Sequence, residues 1–255
     1  MLQPRKRLGQ NFLRDPNIIR KIVGSVEDDV SIVEIGPGTG ALTGLLLEKD
    51  ASLTAIEVDE RAVQLLKDHY PSLDVRHQDV LDVDWAALAA ERGRALHVVG
   101  NLPYYITTPI LFGLLDAPRG TIARFVVMMQ REVARRIVAV PRTKAYGILS
   151  VVLQKLSRPK LLFDVSPNVF HPRPDVTSSV VSFDLDVPEL PVEDAFFRRV
   201  VRTAFNQRRK TLRNSLSSMG LTVPEDYAGL RAEALTPDDF VTLSRYLHGQ
   251  RAPSA

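Results

Sequence analysis

The segment Val30–Asp50, VSIVEIGPGTGALTGLLLEKD, decides the fold class of this 255-residue chain. Its first residues are apolar and β-branched, as in a buried strand, and they lead into a loop that contains Gly36, Gly38 and Gly40. Leucines at helical spacing follow the loop. A strand, a glycine-rich turn and a helix in this order predict the first unit of a parallel α/β sheet.

The same alternation extends outward along the chain. Apolar runs of strand length lie at 30–36, 52–58, 73–79, 95–101, 124–130, 160–166 and 178–184, and helical patterns lie at 40–50, 59–70, 85–93, 108–117 and 132–140. Strands that alternate with helices predict a mainly parallel, doubly wound sheet. The last two strands are joined by the proline-rich segment Ser166–Ser178, and we expect them to form a hairpin-like closing pair.

The strand signal ends near Pro188. After the linker LDVPELPVE, residues 185–193, the remaining sequence has the pattern of short helices. We therefore predict two domains. Residues 1–187 form the α/β domain and begin with a basic arm, and residues 188–255 form a small helical domain.

The composition narrows the classes of protein. Cysteine is absent, which excludes disulfides, zinc–thiolate centres and thiol nucleophiles. The five histidines are scattered, so no spacing indicates a metal site. No apolar run approaches the roughly 18 residues of a membrane span, and the basic start lacks the apolar core of a signal peptide. We expect a soluble, cytoplasmic protein that does not bind a membrane and uses no metal.

The basic residues are unevenly distributed, although the net charge is only +3. The N-terminal segment PRKRLGQNFLRDPNIIRK is strongly basic, and the segment FFRRVVRTAFNQRRKTLRNSL, residues 196–216, has seven basic residues and no acidic one. Two basic clusters suggest a polyanionic partner that contacts selected surfaces. A solvated helix face would account for either cluster by itself.

The glycine loop has the spacing of a nucleoside-cofactor site. Gly36, Gly38 and Ala41 satisfy the pattern G-x-G-x-x-A, and Glu57 ends the next strand about twenty residues later. Glycine lets the backbone turn sharply and approach a ligand closely, and an acid at that place can bind the two hydroxyls of a ribose. The pattern does not distinguish NAD from S-adenosylmethionine, and a purely structural turn is the other interpretation.

Two further strand ends carry side chains that bind ligands. Asp79 closes the third strand and can accept the amine hydrogens of an adenine, whereas its alternative role is that of a helix cap or turn residue. Asn101 closes the fourth strand. Parallel strands of an open α/β sheet bind ligands at their carboxyl ends. We therefore expect Gly36, Glu57, Asp79 and Asn101 to lie along one edge.

The segment Asn101–Tyr104, NLPY, has a chemical reason to follow a strand. The amine of adenine is a poor nucleophile because its lone pair is conjugated with the ring. The Asn101 side-chain oxygen and the carbonyl beside Pro103 can each accept one amine hydrogen, which draws the nitrogen toward tetrahedral geometry. Proline stiffens the turn, and Tyr104 can stack on the base. The alternative is that these residues only punctuate a loop.

Six segments, in order along the chain, resemble the ribosomal RNA adenine dimethyltransferases of the KsgA type. They are GQNFL (9–13), EIGPGTGALT (34–43), GNLPYYITTPI (100–110), MMQREVARRI (128–137), FHPRPDVTSSVV (170–181) and FNQRRKTLRNSL (205–216). The resemblance implies a Rossmann-like, seven-stranded class I methyltransferase sheet with a small C-terminal α-helical domain. It also implies a monomer that uses S-adenosylmethionine to dimethylate N6 of two adjacent adenosines near the 3′ end of 16S rRNA, during biogenesis of the small ribosomal subunit.

The resemblance assigns roles to individual residues. The cofactor pocket is implied to contain Asn11, Leu13, Gly36, Gly38, Glu57, Asp79 and Asn101. The methyl-acceptor motif is implied to be Asn101, Leu102, Pro103 and Tyr104. Phe170 would be a second aromatic face that sandwiches a flipped adenine, whereas spacing alone favours a core phenylalanine. Contacts to RNA are implied for Arg208, Arg209, Lys210 and Arg213, which fit successive turns of a helix, and for the arm residues Arg5, Lys6 and Arg7.

Three alternatives remain open from the sequence. Relatives that methylate large-subunit rRNA share the Asn-x-Pro-Tyr core, but Leu102 and the segment FNQRRKTLRNSL favour the small-subunit enzyme. A second possibility is an RNA-binding assembly factor that keeps the fold without catalysis, against which the intact acceptor motif argues. The third is a nicotinamide dehydrogenase, which the absence of an obvious His–Asp hydride-site pair disfavours.

Overall fold

The computed structural model describes residues 2–5 and 8–250. Its strands are β1 Phe12–Leu13, β2 Ser31–Ile35, β3 Thr54–Glu57, β4 Asp74–His77, β5 Leu96–Asn101, β6 Ile122–Gln130, β7 Arg158–Val165, β8 Phe170–His171 and β9 Ser178–Asp184. Its α-helices are α1 Pro16–Val23, α2 Thr43–Lys49, α3 Glu60–His69, α4 Trp85–Arg92, α5 Thr107–Asp116, α6 Arg131–Ile137, α7 Ile148–Leu156, α8 Asp194–Asn206, α9 Leu212–Ser215, α10 Glu225–Ala228 and α11 Pro237–Gly249.

Seven strands form one sheet in the order β4-β3-β2-β5-β6-β9-β7. The first five pair with one another in parallel, and β9 pairs with β6 in the antiparallel direction. Each of the seven predicted strand regions forms one of these strands, and β7 and β9 are neighbours, so the mainly parallel sheet with a closing pair is confirmed. The two-residue strands β1 and β8 pair separately, and the sequence did not indicate them.

The register of the sheet aligns the carboxyl ends of its central strands. Ile35 at the end of β2 pairs with Ile56 on one side and with Gly100 on the other. A Cβ atom on Gly100 would lie 2.6 Å from the Ile35 carbonyl oxygen, so only glycine permits this close approach of β5 to β2. Gly36, Glu57 and Asn101 therefore follow or end adjacent strands at the same edge.

Apolar residues on both faces of the sheet hold it in place. Every residue of β2 is buried, as parallel strands between two helical layers require. The rings of Phe125 on β6 and Phe183 on β9 stack with centroids 4.3 Å apart. At the start of α1, the Asp15 carboxylate accepts hydrogen bonds from the Asn17 and Ile18 amides, which caps that helix.

The contacts between Cα atoms divide the chain into two compact units. One unit contains the described residues up to Ala134 together with Lys160–Asp186, and the other contains Arg135–Pro159 together with the described residues from Val187 onward. The C-terminal helical region is thus present as predicted. The segment 135–159, which the sequence assigned to the α/β domain, belongs with the helices instead, because its α7 packs against α8 and α11.

The helical unit has its own core. The Tyr146 side chain is buried, and its hydroxyl donates to the Leu235 carbonyl oxygen at 2.9 Å. Phe205 contacts Tyr146 edge to face and stacks on Phe240. Among the described residues of the whole chain, no helix is long and apolar enough to cross a membrane.

Candidate active site

A cavity of about 240 Å³ opens at the carboxyl edge of the sheet in the α/β unit. All seven residues that the sequence assigned to a cofactor pocket line this cavity: Asn11, Leu13, Gly36, Gly38, Glu57, Asp79 and Asn101. Leu102, Pro103 and Tyr104 of the predicted acceptor motif line it too. The structure thus brings together the ends of four strands and the segment that precedes α1.

Glycine is required in the loop after β2. Gly36 and Gly38 have φ angles of 62° and 57°, in the left-handed region that side chains disfavour. A Cβ atom on Gly38 would also lie 3.0 Å from the Phe12 ring. The loop is therefore a closely packed wall of the cavity, and substitutions at Gly38 strain both its backbone and its contact with Phe12.

Glu57 fixes this loop as well as facing the cavity. Its side chain is 6% exposed, and one carboxylate oxygen accepts the Gly38 N–H at 3.0 Å. The other oxygen accepts the Val58 and Asp59 N–H groups, both at 2.8 Å. Burial raises the pKa of the Glu57 carboxyl, and these three hydrogen bonds oppose that effect. The sequence predicted that Glu57 binds the hydroxyls of a ribose, but it did not predict that Glu57 also anchors the glycine loop.

Asp79 has the capping role that the sequence offered as an alternative, and it also lines the cavity. Its carboxylate accepts the Leu81 N–H at 2.9 Å and so caps the 3₁₀ turn Val80–Asp82. The same residue lines the cavity. A cap on one oxygen leaves the other oxygen available to a ligand.

Glu34 is a buried acid in the cavity wall that the sequence analysis passed over. Its side chain is 2% exposed, and the Thr43 hydroxyl donates to it at 2.6 Å. Burial raises the pKa of the Glu34 carboxyl to about 8, with a further contribution from the nearby Glu57 charge. A pKa of about 8 favours the protonated form of Glu34 at neutral pH. Its position within β2, two residues before Gly36, was the available signal.

The acceptor segment is held by a series of specific hydrogen bonds. The Asn101 side-chain nitrogen donates to the Asn11 carbonyl oxygen at 3.1 Å, and the Leu102 N–H donates to the Met128 carbonyl oxygen at 3.0 Å. The Tyr104 and Ser178 hydroxyls are 2.7 Å apart, and burial raises the pKa of the Tyr104 hydroxyl. The hydrogen bond to Asn11 orients the Asn101 amide, whose oxygen is its one acceptor for a hydrogen from a ligand.

Residues Leu8–Leu13, here named the N-terminal strap, form one wall of the cavity. Strap residue Gln10 donates to the Asp59 carboxylate at 2.9 Å. Leu13 pairs with Phe170 where β1 meets β8. The sequence implied Asn11 and Leu13 at the cavity but did not predict the attachment through Gln10 and Asp59.

Asp59 is the buried anchor of the strap. Its side chain is fully buried and receives Arg61 at 2.6 Å and Arg5 at 3.7 Å, in addition to Gln10. The hydrogen bond from Arg61 is the largest of the effects that lower the pKa of the Asp59 carboxyl to about 2. Arg5, predicted as part of an RNA-binding arm, thus lies at this anchor, and Lys6 and Arg7 lie outside the described residues.

Phe170 lies in the core rather than in the wall of the cavity, so the adenine sandwich stays a prediction. Its side chain is 5% exposed and belongs to the core, together with Leu13, Val165 and Val180. It is not among the residues that line the cavity. Phe170 pairs with Leu13 where β8 meets β1, and at 5% exposure little of its ring is open to a nucleobase in this arrangement. The alternative of a core phenylalanine accounts for its position.

The basic residues of the helical unit do not form the predicted continuous helix face. Helix α8 ends at Asn206 and α9 begins at Leu212, so three of the four residues lie in the turn between them: Arg208, Arg209 and Lys210. The prediction that they occupy successive helical turns is wrong, because the apolar face that buries α8 ends before them. Only Arg213 is helical.

Two of these four cations are engaged within the helical unit. Arg208 donates from Nε to Glu233 at 3.0 Å and from its two terminal nitrogens to the Lys144 and Thr143 carbonyl oxygens at 3.1 and 3.2 Å. Arg213 contacts both carboxylate oxygens of Glu225, at 2.8 and 2.9 Å. Arg209 and Lys210 are exposed and have no ion-pair partner among the described residues.

The sheet order, the glycine loop after β2 and the acidic end of β3 define a class I methyltransferase fold. Solved structures agree: the 23S rRNA methyltransferase ErmE has a TM-score of 0.71 at 25% identity, covering 93% of this chain and 100% of that one. A dimethyladenosine transferase from Plasmodium falciparum has a TM-score of 0.74, covering 91% of this chain and 95% of that one. Its 22% identity supports the fold alone.

The sequence comparisons establish the family. A model described as ribosomal RNA adenine dimethylase matches residues 1–245, and the chain belongs to this family of S-adenosylmethionine-dependent enzymes. A protein of Salinibacter ruber named ribosomal RNA small subunit methyltransferase A is 52% identical over 99% of this chain and 88% of its own length. A protein of Thiobacillus denitrificans with the same name is 45% identical over 97% of this chain and 99% of its own length.

The cavity lining fits S-adenosylmethionine. The Glu57 and Asp79 carboxylates offer acceptors for hydroxyl and amine hydrogens, and Ile56, Val58 and Val80 supply apolar surface for an aromatic base. Gly36 and Gly38 carry no side chains, so a ligand can approach the backbone of the loop at these two positions. Among the described residues, no group of three potential metal-binding side chains occurs.

Proposed function

We propose that this protein dimethylates N6 of two adjacent adenosines near the 3′ end of 16S rRNA, within the small ribosomal subunit or its precursor. It acts as a monomer in the cytoplasm and takes part in small-subunit biogenesis. The single observation that supports the adenine-amine chemistry best is the hydrogen bond from the Asn101 side-chain nitrogen to the Asn11 carbonyl oxygen. The names of the relatives at 45–52% identity support the small-subunit substrate.

The orientation of Asn101 gives the acceptor motif its role. With its nitrogen bound to Asn11, the side-chain oxygen accepts one hydrogen of the target amine. The Leu102 carbonyl, beside the proline ring, accepts the other. Two acceptors on one amine draw the nitrogen toward tetrahedral geometry and free its lone pair for reaction. No strong base is required, because an amine becomes far more acidic once it is alkylated, and its proton passes from these oxygens to water.

The cavity residues divide into cofactor and substrate sides. S-adenosylmethionine, when bound, supplies an electrophilic methyl group. Glu57 binds the ribose hydroxyls, Asp79 binds the adenine amine of the cofactor, and Gly36, Gly38, Asn11 and Leu13 enclose the remainder. Tyr104, whose hydroxyl is fixed by Ser178 at 2.7 Å, stacks on the target base. Such a stack is worth about 1–3 kcal/mol.

The target base must leave its stack to reach this cavity. Extrusion costs a few kcal/mol in a duplex and less in an RNA loop, where the bases are already splayed. Arg209 and Lys210, exposed and without ion-pair partners among the described residues, are suited to bind the RNA phosphates that steady such a loop. Phosphate contacts position the RNA but do not read its sequence.

The decisive experiment is methylation of purified small subunits that lack this modification, with labelled S-adenosylmethionine, followed by mapping of the labelled nucleotides. We expect four methyl groups on two adjacent adenosines near the 3′ end of 16S rRNA. Fully modified small subunits and large subunits are the controls, and neither is expected to accept label. Label in large-subunit rRNA instead would overturn the proposed substrate. Label in neither subunit, with intact cofactor binding, would indicate a binding role without catalysis.

A further inference from the structure

Tyr105 is an exposed aromatic residue at the cavity that the acceptor chemistry does not use. It follows Tyr104 directly and lines the same cavity, yet its side chain is 58% exposed. Tyr104 is half-buried and hydrogen-bonded to Ser178. Two successive tyrosines in one loop thus differ in environment: one is fixed inside the site, and the other presents its ring to solvent.

The ring of Tyr105 is supported on one side by the N-terminal strap. Gly9 of the strap has a φ angle of 60°, and a Cβ atom there would lie 3.1 Å from Cδ1 and 3.4 Å from Cε1 of the Tyr105 ring. Gly9 therefore permits both the left-handed backbone turn and the close contact of the Tyr105 ring with the strap. The hydroxyl has no hydrogen-bond partner among the described residues, so the exposed ring, rather than the hydroxyl, is the feature offered to a partner.

We propose that Tyr105 stacks on the nucleobase adjacent to the adenosine held in the cavity. The inference rests on the proposed function, in which the target has an adenosine as its immediate neighbour. When one of the two is inside the cavity, the other lies at the opening, where Tyr105 is. Every base has a face on which an aromatic ring can stack, and Phe170, the other aromatic residue assigned to the substrate, is buried.

This placement gives Tyr105 a specific effect on the course of the reaction. Stacking the neighbour holds the pair of adenosines in register, so that one can replace the other in the cavity after methylation. The residue therefore affects recognition of the subunit and the modification of the second adenosine. It does not affect binding of S-adenosylmethionine, which contacts other walls of the cavity.

The test compares Tyr105→Ala, Tyr105→Leu and Tyr105→Phe with the wild-type protein on undermethylated small subunits. Leucine retains apolar contact with Gly9 but has no aromatic face, whereas phenylalanine retains the face without the hydroxyl. We expect both Ala and Leu to lower kcat/KM for subunits about tenfold, as the loss of one base stack predicts. They should also leave the second adenosine largely unmethylated when the first is complete. Phe is expected to remain within twofold of wild type.

Calorimetry with S-adenosylmethionine on each variant separates stacking from support of the cavity wall, and an unchanged Kd also shows that the variant is folded. The proposal is overturned if Tyr105→Leu matches wild type on both adenosines, because apolar packing on Gly9 would then suffice. It is also overturned if cofactor affinity falls in parallel with activity. A wild-type protein that methylates no adenosine in small subunits would instead refute the proposed function, before any variant is compared.

Discussion

The carboxyl edge of the sheet and the turn between α8 and α9 were both expected to carry function, and they differ in what holds their side chains. At the sheet edge, Gly36, Glu57 and Asn101 occupy places fixed by strand register, and all three line the cavity. In the turn and the first residues of α9, four cations that looked equivalent in the sequence have different partners. Arg208 and Arg213 bind groups of the protein, whereas Arg209 and Lys210 remain exposed.

The comparison shows where a sequence pattern determines the position of a side chain. A residue at the end of a parallel strand has its place set by the backbone hydrogen bonds of the ladder. A long arginine side chain in a turn can reach several acceptors, and its partner depends on which carbonyl groups the tertiary structure brings near. Charge composition alone therefore predicts a basic surface but not which of its cations are available to RNA.

The largest effect is expected at the sheet edge, for Asn101→Ala. Loss of one preorganised polar contact to the reacting amine lowers kcat by about 10²–10³, while the Kd for S-adenosylmethionine stays within a few fold. Single-turnover methylation of small subunits and calorimetry measure the two quantities. The matched control is Asn168→Ala, an exposed asparagine of the same unit. A kcat near wild type in Asn101→Ala would refute the role of this residue.

Glu57→Gln tests whether an acid that anchors the loop also binds the cofactor. We expect the loss of charge-assisted hydrogen bonds to weaken binding of S-adenosylmethionine by roughly 1.5–3 kcal/mol. Calorimetry measures it, with a thermal melt to check the loop that Glu57 holds through Gly38. Glu60→Gln, an exposed acid three residues further on, is the control. Tight binding of NAD by the wild-type protein, without binding of S-adenosylmethionine, would contradict the assignment of the cavity.

Glu34→Gln tests whether the buried acid at the sheet edge makes stability depend on pH. The folded protein keeps a proton on Glu34 up to about pH 8, whereas the unfolded chain releases it near the ordinary value of 4.5. The unfolded state thus binds fewer protons in this window, so stability falls as pH rises from about 5 to 8. The contribution is at most one proton, about 1.4 kcal/mol per pH unit.

Urea unfolding of the ligand-free protein at several pH values measures this effect. Glu34→Gln removes the contribution of Glu34 to the pH dependence of stability, so the unfolding free energy of the variant changes less with pH. Glu57, whose pKa is also raised, contributes equally to both proteins. Glu48→Gln, at an exposed position, is the matched control. Parallel curves for Glu34→Gln and wild type would show that Glu34 is ionised in the folded state.

The smallest effect on activity is expected in the turn between α8 and α9. Variants there test which of its cations bind RNA and which stabilise the helical unit. Arg209→Gln with Lys210→Gln lowers the log–log salt slope of RNA binding by about 1.4–1.8 and leaves the melting temperature unchanged. Arg208→Gln does the reverse: it keeps the slope and lowers the melting temperature by a few degrees, as the loss of about 1 kcal/mol predicts. Arg245→Gln, an exposed position on α11, is the control. Equal loss of slope in both variants would show that these three cations act together on RNA.

The sequence predicted the sheet and most of the cavity for the same reason. Alternating strands and helices predicted a mainly parallel sheet, and the carboxyl ends of its strands bring Gly36, Glu57, Asp79 and Asn101 to one edge. Contacts made far along the chain were not predictable. Helix α7 is an apolar run whose partners, α8 and α11, come much later in the sequence.

The same limit applies to single side chains. Gln10 meets Asp59 across a sequence separation of 49 residues, and neither residue type indicates the other. Phe170 is packed in the core where β8 pairs with β1, two strands too short to leave a periodic signal. In each case the missing information was a tertiary contact, which composition and periodicity do not contain.

The pairing of β2 with β5 determines how far apart the glycine loop and the acceptor segment begin. Ile35 lies opposite Gly100, so the glycine loop and the acceptor segment start from neighbouring strands, about 4.8 Å apart in a β-sheet. Under the proposed function, the methyl donor and the target amine are held at the ends of these two strands, so backbone hydrogen bonding contributes to the distance between them. Gly100 is where this spacing is vulnerable, since a Cβ atom 2.6 Å from the Ile35 oxygen would push the strands apart. A variant with alanine at Gly100 would therefore keep every side chain of the cavity but lose methyl transfer, because its two strands would be too far apart.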